Sequence, residues 1–189
     1  MINYVAYRNF VTLGSGKRVM FRFLNDKDRE GLIQLFQEAP DEDTRFLKQD
    51  VKDQKLINFW IDHLDYKKVL PLVAVDLENN RLIADATLHR GKHASKHIGE
   101  VRIFVSRAFR NLGLGSVMLD DLISLALKES LQWLKAEVLA DHKKVIKAFR
   151  AKGFEIKATL DDYFIRRDGV THDVVLMLRP MMKKEEAEF

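Results

Sequence analysis

Along the chain, apolar positions first alternate and then lengthen their spacing. Phe10-Val11-Thr12-Leu13 and Arg18-Val19-Met20-Phe21-Arg22-Phe23 flank the turn sequence Gly14-Ser15-Gly16-Lys17, and Val19, Phe21 and Phe23 take every other position. A period of two on either side of a glycine turn predicts a β-hairpin. Asn25 or Asp26 can then cap a helix in which Leu32, Ile33, Leu35 and Phe36 recur at helical intervals, and the pattern stops near Pro40. An acidic turn, Asp41-Glu42-Asp43, leads to Phe46-Leu47 and a second helix from about Asp53 to Leu64. Its Leu56, Ile57, Phe59, Trp60 and Ile61 exceed one narrow stripe, so wide burial is expected. Val69 to Val75 is a continuous apolar run of strand length, Glu78-Asn79-Asn80 is a turn, and Arg81 to Leu88 reads as the returning antiparallel strand.

The second half alternates strand and helix. His89 to His97 is a polar, glycine-bearing loop before a strand from Ile98 to Ser106. A helix with Leu114, Val117, Met118, Leu122, Leu125 and Ala126 on its apolar face runs to about Lys128, and Trp133 to Leu139 is the next strand. Asp141 caps a helix from His142 to about Lys152, which Gly153 ends, and Phe154 to Ile165 and Val170 to Leu178 form two strands joined at Arg167-Asp168-Gly169. Residues 1–9 and 183–189 are expected as loose ends. This order predicts an α+β fold with one mixed, mostly antiparallel sheet flanked by helices. A length of 189 residues without repeat or linker predicts a single domain over 1–189.

Composition removes several kinds of chemistry. The chain has no Cys, which excludes disulfides, a thiol nucleophile and a cysteine zinc site. The net charge of +4 comes from 32 basic and 28 acidic residues mixed along the sequence, whereas nucleic-acid binding wants a concentrated basic face. No apolar signal core opens the chain, and no run approaches the roughly 18 apolar residues of a membrane helix, so a soluble cytoplasmic protein is expected. His89, His93 and His97 recur every four residues, but Gly91 and the flanking strands make the region a loop, so no metal is expected.

The chemistry lies at Arg110-Asn111-Leu112-Gly113-Leu114-Gly115, between the strand carrying Val101, Ile103 and Val105 and the amphipathic helix. Glycines allow unusual dihedrals and close approach of a ligand, and the first free N–H groups with the positive end of the helix dipole favour an anion. Arg110 adds a charge at the rim. A Walker A loop would end in Gly-Lys-Ser/Thr and a dinucleotide fingerprint would need a third glycine where Met118 stands; neither is present.

Arg-x-x-Gly-x-Gly after that strand resembles the pyrophosphate loop of the GNAT superfamily of N-acetyltransferases, and the order of elements from about Phe10 is similar to the GNAT order. Ala148-Phe149-Arg150-Ala151-Lys152-Gly153-Phe154 and the closing Asp168 to Met177 segment are similar to the family's last helix and terminal hairpin. In the first half, Gly16-Lys17-Arg18-Val19, Asp26-Lys27-Asp28, Thr44-Arg45-Phe46-Leu47, Asp65-Tyr66 and Leu72 to Val75 resemble the catalytic domain of bacterial Pat-type protein lysine acetyltransferases. So do Gly99-Glu100-Val101 and Glu137-Val138-Leu139-Ala140.

The resemblance implies a GNAT-like fold and transfer of an acetyl group from acetyl-CoA to a primary amine, with no metal. Arg110, Asn111, Leu112, Gly113, Leu114, Gly115 and Ser116 would hold the diphosphate. The backbone of Ile103, Phe104 and Val105 would pair with pantetheine, a main-chain N–H near Val105 would face the developing oxyanion, and His142 and Phe149 would contact the cofactor from the last helix. Glu100 matches the position of the proposed base. A lysine amine is almost wholly protonated at neutral pH, its reference pKa being about 10.4, so a nearby carboxylate has work to do. Phe149 stands where many relatives carry a Tyr that protonates the leaving thiolate, and Tyr163 is a substitute candidate. Protein lysine is the first acceptor and small-molecule amines remain open; a catalytically weak CoA-binding sensor is the rival reading. A homodimer is an open option, and neither nucleic acid nor membrane is an expected partner.

Overall fold

The computed structural model describes residues 2–166 and 168–181; Arg167 of the expected final turn and the 182–189 tail lie outside the described residues. Eight strands form one mixed sheet in the order β1-β2-β3-β4-β5-β6-β8-β7. They are β1 (Asn9–Thr12), β2 (Arg18–Phe23), β3 (Val69–Asp76), β4 (Arg81–Arg90), β5 (Ile98–Val105), β6 (Trp133–Leu139), β7 (Glu155–Ile165) and β8 (Thr171–Pro180). The helices are α1 (Arg29–Gln37), α2 (Asp41–Thr44), α3 (Gln54–Asp62), α4 (Leu114–Lys128) and α5 (Lys143–Ala151). The α+β sheet-and-helix plan read from the sequence is the one observed. Contacts gather in two compact units, residues 1–87 with 103–119, and residues 88–102 with 120–189.

In the first unit, β1 pairs antiparallel with β2 and β2 with β3, Phe21 lying opposite Ala74 and Phe23 opposite Leu72. Val19, Phe21 and Phe23 are buried as their alternation predicts. Asn25 caps a short 3-10 turn that feeds α1: its side chain accepts from Lys27 N–H (3.0 Å), while the Asp28 carboxylate accepts from Asn25 N–H (2.8 Å). Leu32, Leu35 and Phe36 of α1 pack with Ile57 and Ile61 of α3, Val73, Val75 and Phe104 in one cluster. Arg29 ties the two helices together through Asn58 Oδ1 (2.9 Å) and Asp62 (2.5 Å). The expected acidic turn is instead the short helix α2. The start of the chain carries Tyr4, which stacks on Tyr66 at 4.9 Å and meets Phe23 edge-on, so aromatic packing holds a segment expected to be loose.

In the second unit, β6 pairs antiparallel with β8 over its whole length, from Trp133 opposite Pro180 to Leu139 opposite Val174. β5 runs parallel to β6 through Ile98–Trp133, Gly99–Leu134 and Glu100–Lys135, and the registered ladder ends there. The N-cap of α5 is His142, whose side chain makes no capping bond, and not Asp141 as expected from the sequence. Gly153 ends the helix at φ +83°, where the Gly153 and Phe154 amides donate to Arg150 and Phe149 carbonyls.

Gly99 fixes how close the neighbours of Glu100 come. A Cβ there would lie 2.6 Å from Leu88 Cδ1, 2.7 Å from Leu131 Cδ1 and 3.1 Å from Leu134 Cδ2. These leucines are at most 5% exposed, so they have little room to retreat. Gly99→Ala is expected to cost about 1–3 kcal/mol in denaturant unfolding with an unchanged m-value; an unaltered midpoint would show that the three leucines give way freely.

Candidate functional site

The first unit carries the glycine loop. β5 ends at Val105, a 3-10 turn spans Arg107–Phe109, and Asn111 (φ +59°) and Gly113 (φ +84°) take left-handed conformations before α4 begins. Nothing lies within 4 Å of the place a Gly113 Cβ would occupy, whereas at Gly115 it would touch Val105 Cγ2 at 3.6 Å. Among the described residues, the first amide after Arg110 to meet a main-chain carbonyl at good geometry is that of Val117, on Gly113 (3.1 Å). The loop therefore presents main-chain N–H groups to an open space at a helix N-terminus, an arrangement that receives anions.

Arg110 sits differently from a bare charge at the rim. Its Nε donates to Val105 O (2.9 Å) and its NH1 to Asp43 Oδ1 (2.9 Å). Arg107 reaches the same carboxylate (2.7 Å) and also pairs with Glu42. The side chain of Asp43 is 9% exposed; burial raises its pKa, but the two guanidiniums outweigh burial and hold the carboxyl below its usual range. The acidic α2 thus clamps the end of β5 and the entrance to the loop. In the sequence Asp43 stands only in an acidic turn, since its partners lie more than sixty residues on.

Glu100 belongs to the second unit. Its Oε1 accepts from Arg102 Nε (2.7 Å) and its Oε2 faces Lys135 Nζ (2.9 Å), which also reaches Glu137 Oε1 (3.0 Å). Burial lowers the Lys135 pKa, yet the two carboxylates overcome it and leave the value above that of an ordinary lysine. A firm cation thus bridges Glu100 and Glu137 at the last registered pair of β5 and β6. Glu137 belongs to a stretch that resembles the Pat-type domains, whereas nothing in the sequence singles out Lys135 beyond its alternation with Glu137 along a strand.

The remaining expected residues divide between packing and solvent. In the first unit, Phe104 is buried against Phe36 at 5.2 Å between ring centres, and Ile103 and Val105 are half-buried. Asn111 and Gly113 are exposed, Leu112, Gly115 and Ser116 are half-buried, and Leu114 is in the core. In the second unit, His142 is exposed at the start of α5, and Phe149 is 7% exposed with its ring edge-on to Phe154 (5.0 Å). Tyr163 is 52% exposed on β7, beside a register shift in which Asp162 takes φ +53°. His89 lies on β4, His93 in a single 3-10 turn and His97 just before β5, so no helix lines them up.

Asp85, on β4 of the first unit, drew no attention in the sequence because one acid in an apolar strand resembles an ordinary edge residue. It is half-buried, while Ala84 and Ala86 on either side are fully buried. Loss of hydration pushes its carboxyl pKa up to about 7.

Comparison with known proteins gives this arrangement a context. The description "Acetyltransferase (GNAT) family" matches residues 30–154, well over half the chain. Among solved structures, the GNAT domain of S. lividans PAT is similar at 23% identity, covering 92% of this chain and 96% of that one with a TM-score of 0.75. A ribosomal-protein-alanine N-acetyltransferase from Brucella melitensis is 21% identical, covering 85% and 98%, with a TM-score of 0.74. A spermidine N-acetyltransferase chimera from Vibrio cholerae is 15% identical, covering 86% and 95%, with a TM-score of 0.72. At these identities the structures speak for the fold, and the family match for the general activity. No helix among the described residues is long and apolar enough to cross a membrane. The chain belongs to the acetyltransferase (GNAT) family, whose members use acetyl-CoA as cosubstrate, and is an acyl-CoA-dependent N-acetyltransferase.

Proposed function

We propose that the chain transfers an acetyl group from acetyl-CoA to a primary amine, with a protein lysine as the first acceptor class, and that it works as a single catalytic domain in the cytoplasm. The observation that carries this reading is the left-handed turn at Asn111 and Gly113, which leaves main-chain amides open at the start of α4. A diphosphate suits that turn: it is anionic, and the space beside Gly113 is clear. Acetyl-CoA supplies the activated acyl thioester. The residues Asn111 to Ser116 bind its diphosphate, while Arg110 braces the loop through Val105 and Asp43. Ile103, Phe104 and Val105 continue β5 as extended main chain towards the glycine loop, which supports them as the stretch that pairs with pantetheine amides.

Glu100 is the candidate base. In direct transfer the amine nitrogen forms a bond to the acyl carbon as the bond to sulfur breaks, and the proton lost by nitrogen passes to Glu100, directly or through one water. Arg102 and Lys135 hold the carboxylate in place. The sulfur must then gain a proton. Phe149 has no hydroxyl to give one, and the exposed phenol of Tyr163 is the donor we assign.

The likeness to Pat-type sequences across the first half favours a lysine side chain as acceptor. The named activities of the structural neighbours, on ribosomal-protein alanine and on spermidine, keep other amines in play. The second reading, a CoA-binding sensor with little turnover, rests on Phe149, which is buried in packing where an acid would be wanted.

Thiol release with a panel of peptide lysines, amino acids and polyamines separates these readings. Wild type should release thiol with at least one amine, and Glu100→Gln should lower the rate by about 10² or more while acetyl-CoA binding is kept. Tight acetyl-CoA binding with no thiol release from any amine at any pH would favour the sensor. Gly113→Val should weaken acetyl-CoA binding measured by calorimetry and leave the chain folded by circular dichroism, because its cost is local strain at positive φ of about 1–2 kcal/mol; unchanged affinity would put the diphosphate elsewhere.

A further inference from the structure

The loop between β4 and β5 belongs to the second unit, and its main chain is closed on itself. Gly91 N–H donates to Ile98 O (2.9 Å), and a 3-10 turn over His93–Ser95 is pinned by Ser95, whose hydroxyl (2.8 Å) and amide (3.0 Å) both donate to Lys92 O. The Lys96 amide donates to His93 O (3.1 Å). The exit is held as well, since His97 O accepts from the amides of Gln132 (2.8 Å) and Trp133 (3.2 Å). A Cβ on Gly91 would run into the Ser95 carbonyl, whose carbon would lie 2.7 Å away, and His93 takes φ +51°, where a side chain is strained. Strain of this kind persists only where the surroundings fix the backbone, so the loop holds one shape.

What the loop displays is cationic. Lys92, His93 and Lys96 are exposed, and among the described residues none of them has an acidic partner. Arg90, just before the loop, is matched by Glu129 (2.7 Å). Around Glu100, Arg102 and Lys135 offset Glu100 and Glu137, so those four charges cancel. The positive charge of the loop is therefore left unbalanced. It also lies close to the candidate base: Ile98 both closes the loop and begins β5, and Glu100 stands two residues further on, about 7 Å along the strand. That separation is within a Debye length of about 10 Å at 0.1 M salt, so an anion carried next to an amine at Glu100 feels the loop.

We propose that the β4–β5 loop is the docking surface for the flank of a protein acceptor: Lys92 and Lys96, with His93 as a further donor, bind carboxylates beside the target lysine. Lysines set among Asp and Glu are then preferred, and polycations such as spermidine are disfavoured. This rests on the reading of Glu100 as the base of acetyl transfer and names the class of acceptor for it. An extended acceptor advances about 3.3 Å per residue, so a carboxylate two or three residues from the lysine reaches the loop while the amine is at Glu100. Lysine ammonium groups are point charges without the fork that arginine offers to phosphate, and one short loop is far from the concentrated basic face that nucleic acid requires. A short acidic segment of protein fits it.

The test uses the full chain and peptides that differ only in the residues flanking a single lysine, which are aspartate, serine or arginine. Thiol release gives kcat/KM, and fluorescence anisotropy of the dye-labelled peptides gives affinity without turnover. Wild type should favour the aspartate peptide over the serine peptide by about threefold or more in both, as a few exposed ion pairs allow, with the arginine peptide last. The preference should shrink between about 0.1 M and 1 M salt, where the Debye length falls from about 10 Å to about 3 Å. Lys92→Glu with Lys96→Glu should bring the aspartate-to-serine ratio to one or below, and Lys92→Gln with Lys96→Gln to an intermediate value. Both side chains are exposed, so circular dichroism and acetyl-CoA affinity by calorimetry should stay as in wild type.

A wild type that binds the aspartate and serine peptides equally, or a charge-reversed chain that keeps the preference, would overturn the assignment. So would tighter binding of a mixed-sequence oligonucleotide or of phosphatidylserine vesicles than of the aspartate peptide, lost in the same variant, since the loop would then serve another polyanion. A fall in acetyl-CoA affinity on charge reversal would give the loop to the cofactor and overturn it as well. Failure of the acetyl-transfer reading looks different: the aspartate peptide binds through Lys92 and Lys96, and no thiol is released from it or from any other amine.

Discussion

Two residues in left-handed conformation, Asn111 and Gly113, turn the end of β5 into the start of α4, and the function depends on what that turn leaves unpaired. Glycine adopts positive φ without steric cost and asparagine at little, so the chain can reverse here without burying its amides in a regular ladder. The amides freed at a helix start are donors in search of an anion, and the helix dipole adds to the attraction. The turn needs an anchor, and Arg110 is part of it. Its guanidinium bonds the last carbonyl of β5 and the carboxylate of Asp43, so much of its charge is satisfied within the protein and main-chain donors carry the anion.

The same economy of charge runs through each unit. In the second, Lys135 joins Glu100 and Glu137 while Arg102 holds the other oxygen of Glu100, so the candidate base is fixed in position at the end of the β5–β6 ladder. In the first, Arg22 meets Asp28 with both nitrogens, and Arg107 and Arg110 meet Asp43.

Much of the fold was legible because local pattern and tertiary burial agree. Alternation at Val19, Phe21 and Phe23, the Asn25 cap, the start of α3 next to Asp53 and Gly153 after α5 all appear where the residues imply. The misreadings have local causes. Asp141 precedes a helix, but the helix starts from His142 without a side-chain cap, and Asp41-Glu42-Asp43 folds as a turn of helix rather than a plain turn. The glycine loop was legible too, since positive φ leaves its mark as Gly and Asn. The charge pairs were not. Asp43 with Arg110, and Glu100 with Lys135, join residues far apart in sequence, and nothing in either neighbourhood names the partner. Phe149, whose motif implies a cofactor contact, also packs its ring edge-on to Phe154.

The central claim is that main-chain amides from Asn111 to Ser116 receive the diphosphate of acetyl-CoA. The most direct measurement is a titration of the 15N-labelled chain with CoA, read at backbone amide resonances. The account predicts the largest downfield proton shifts at the amides of this stretch, with saturation at one affinity. Unmoved amides there, alongside saturable shifts at another surface, would contradict it.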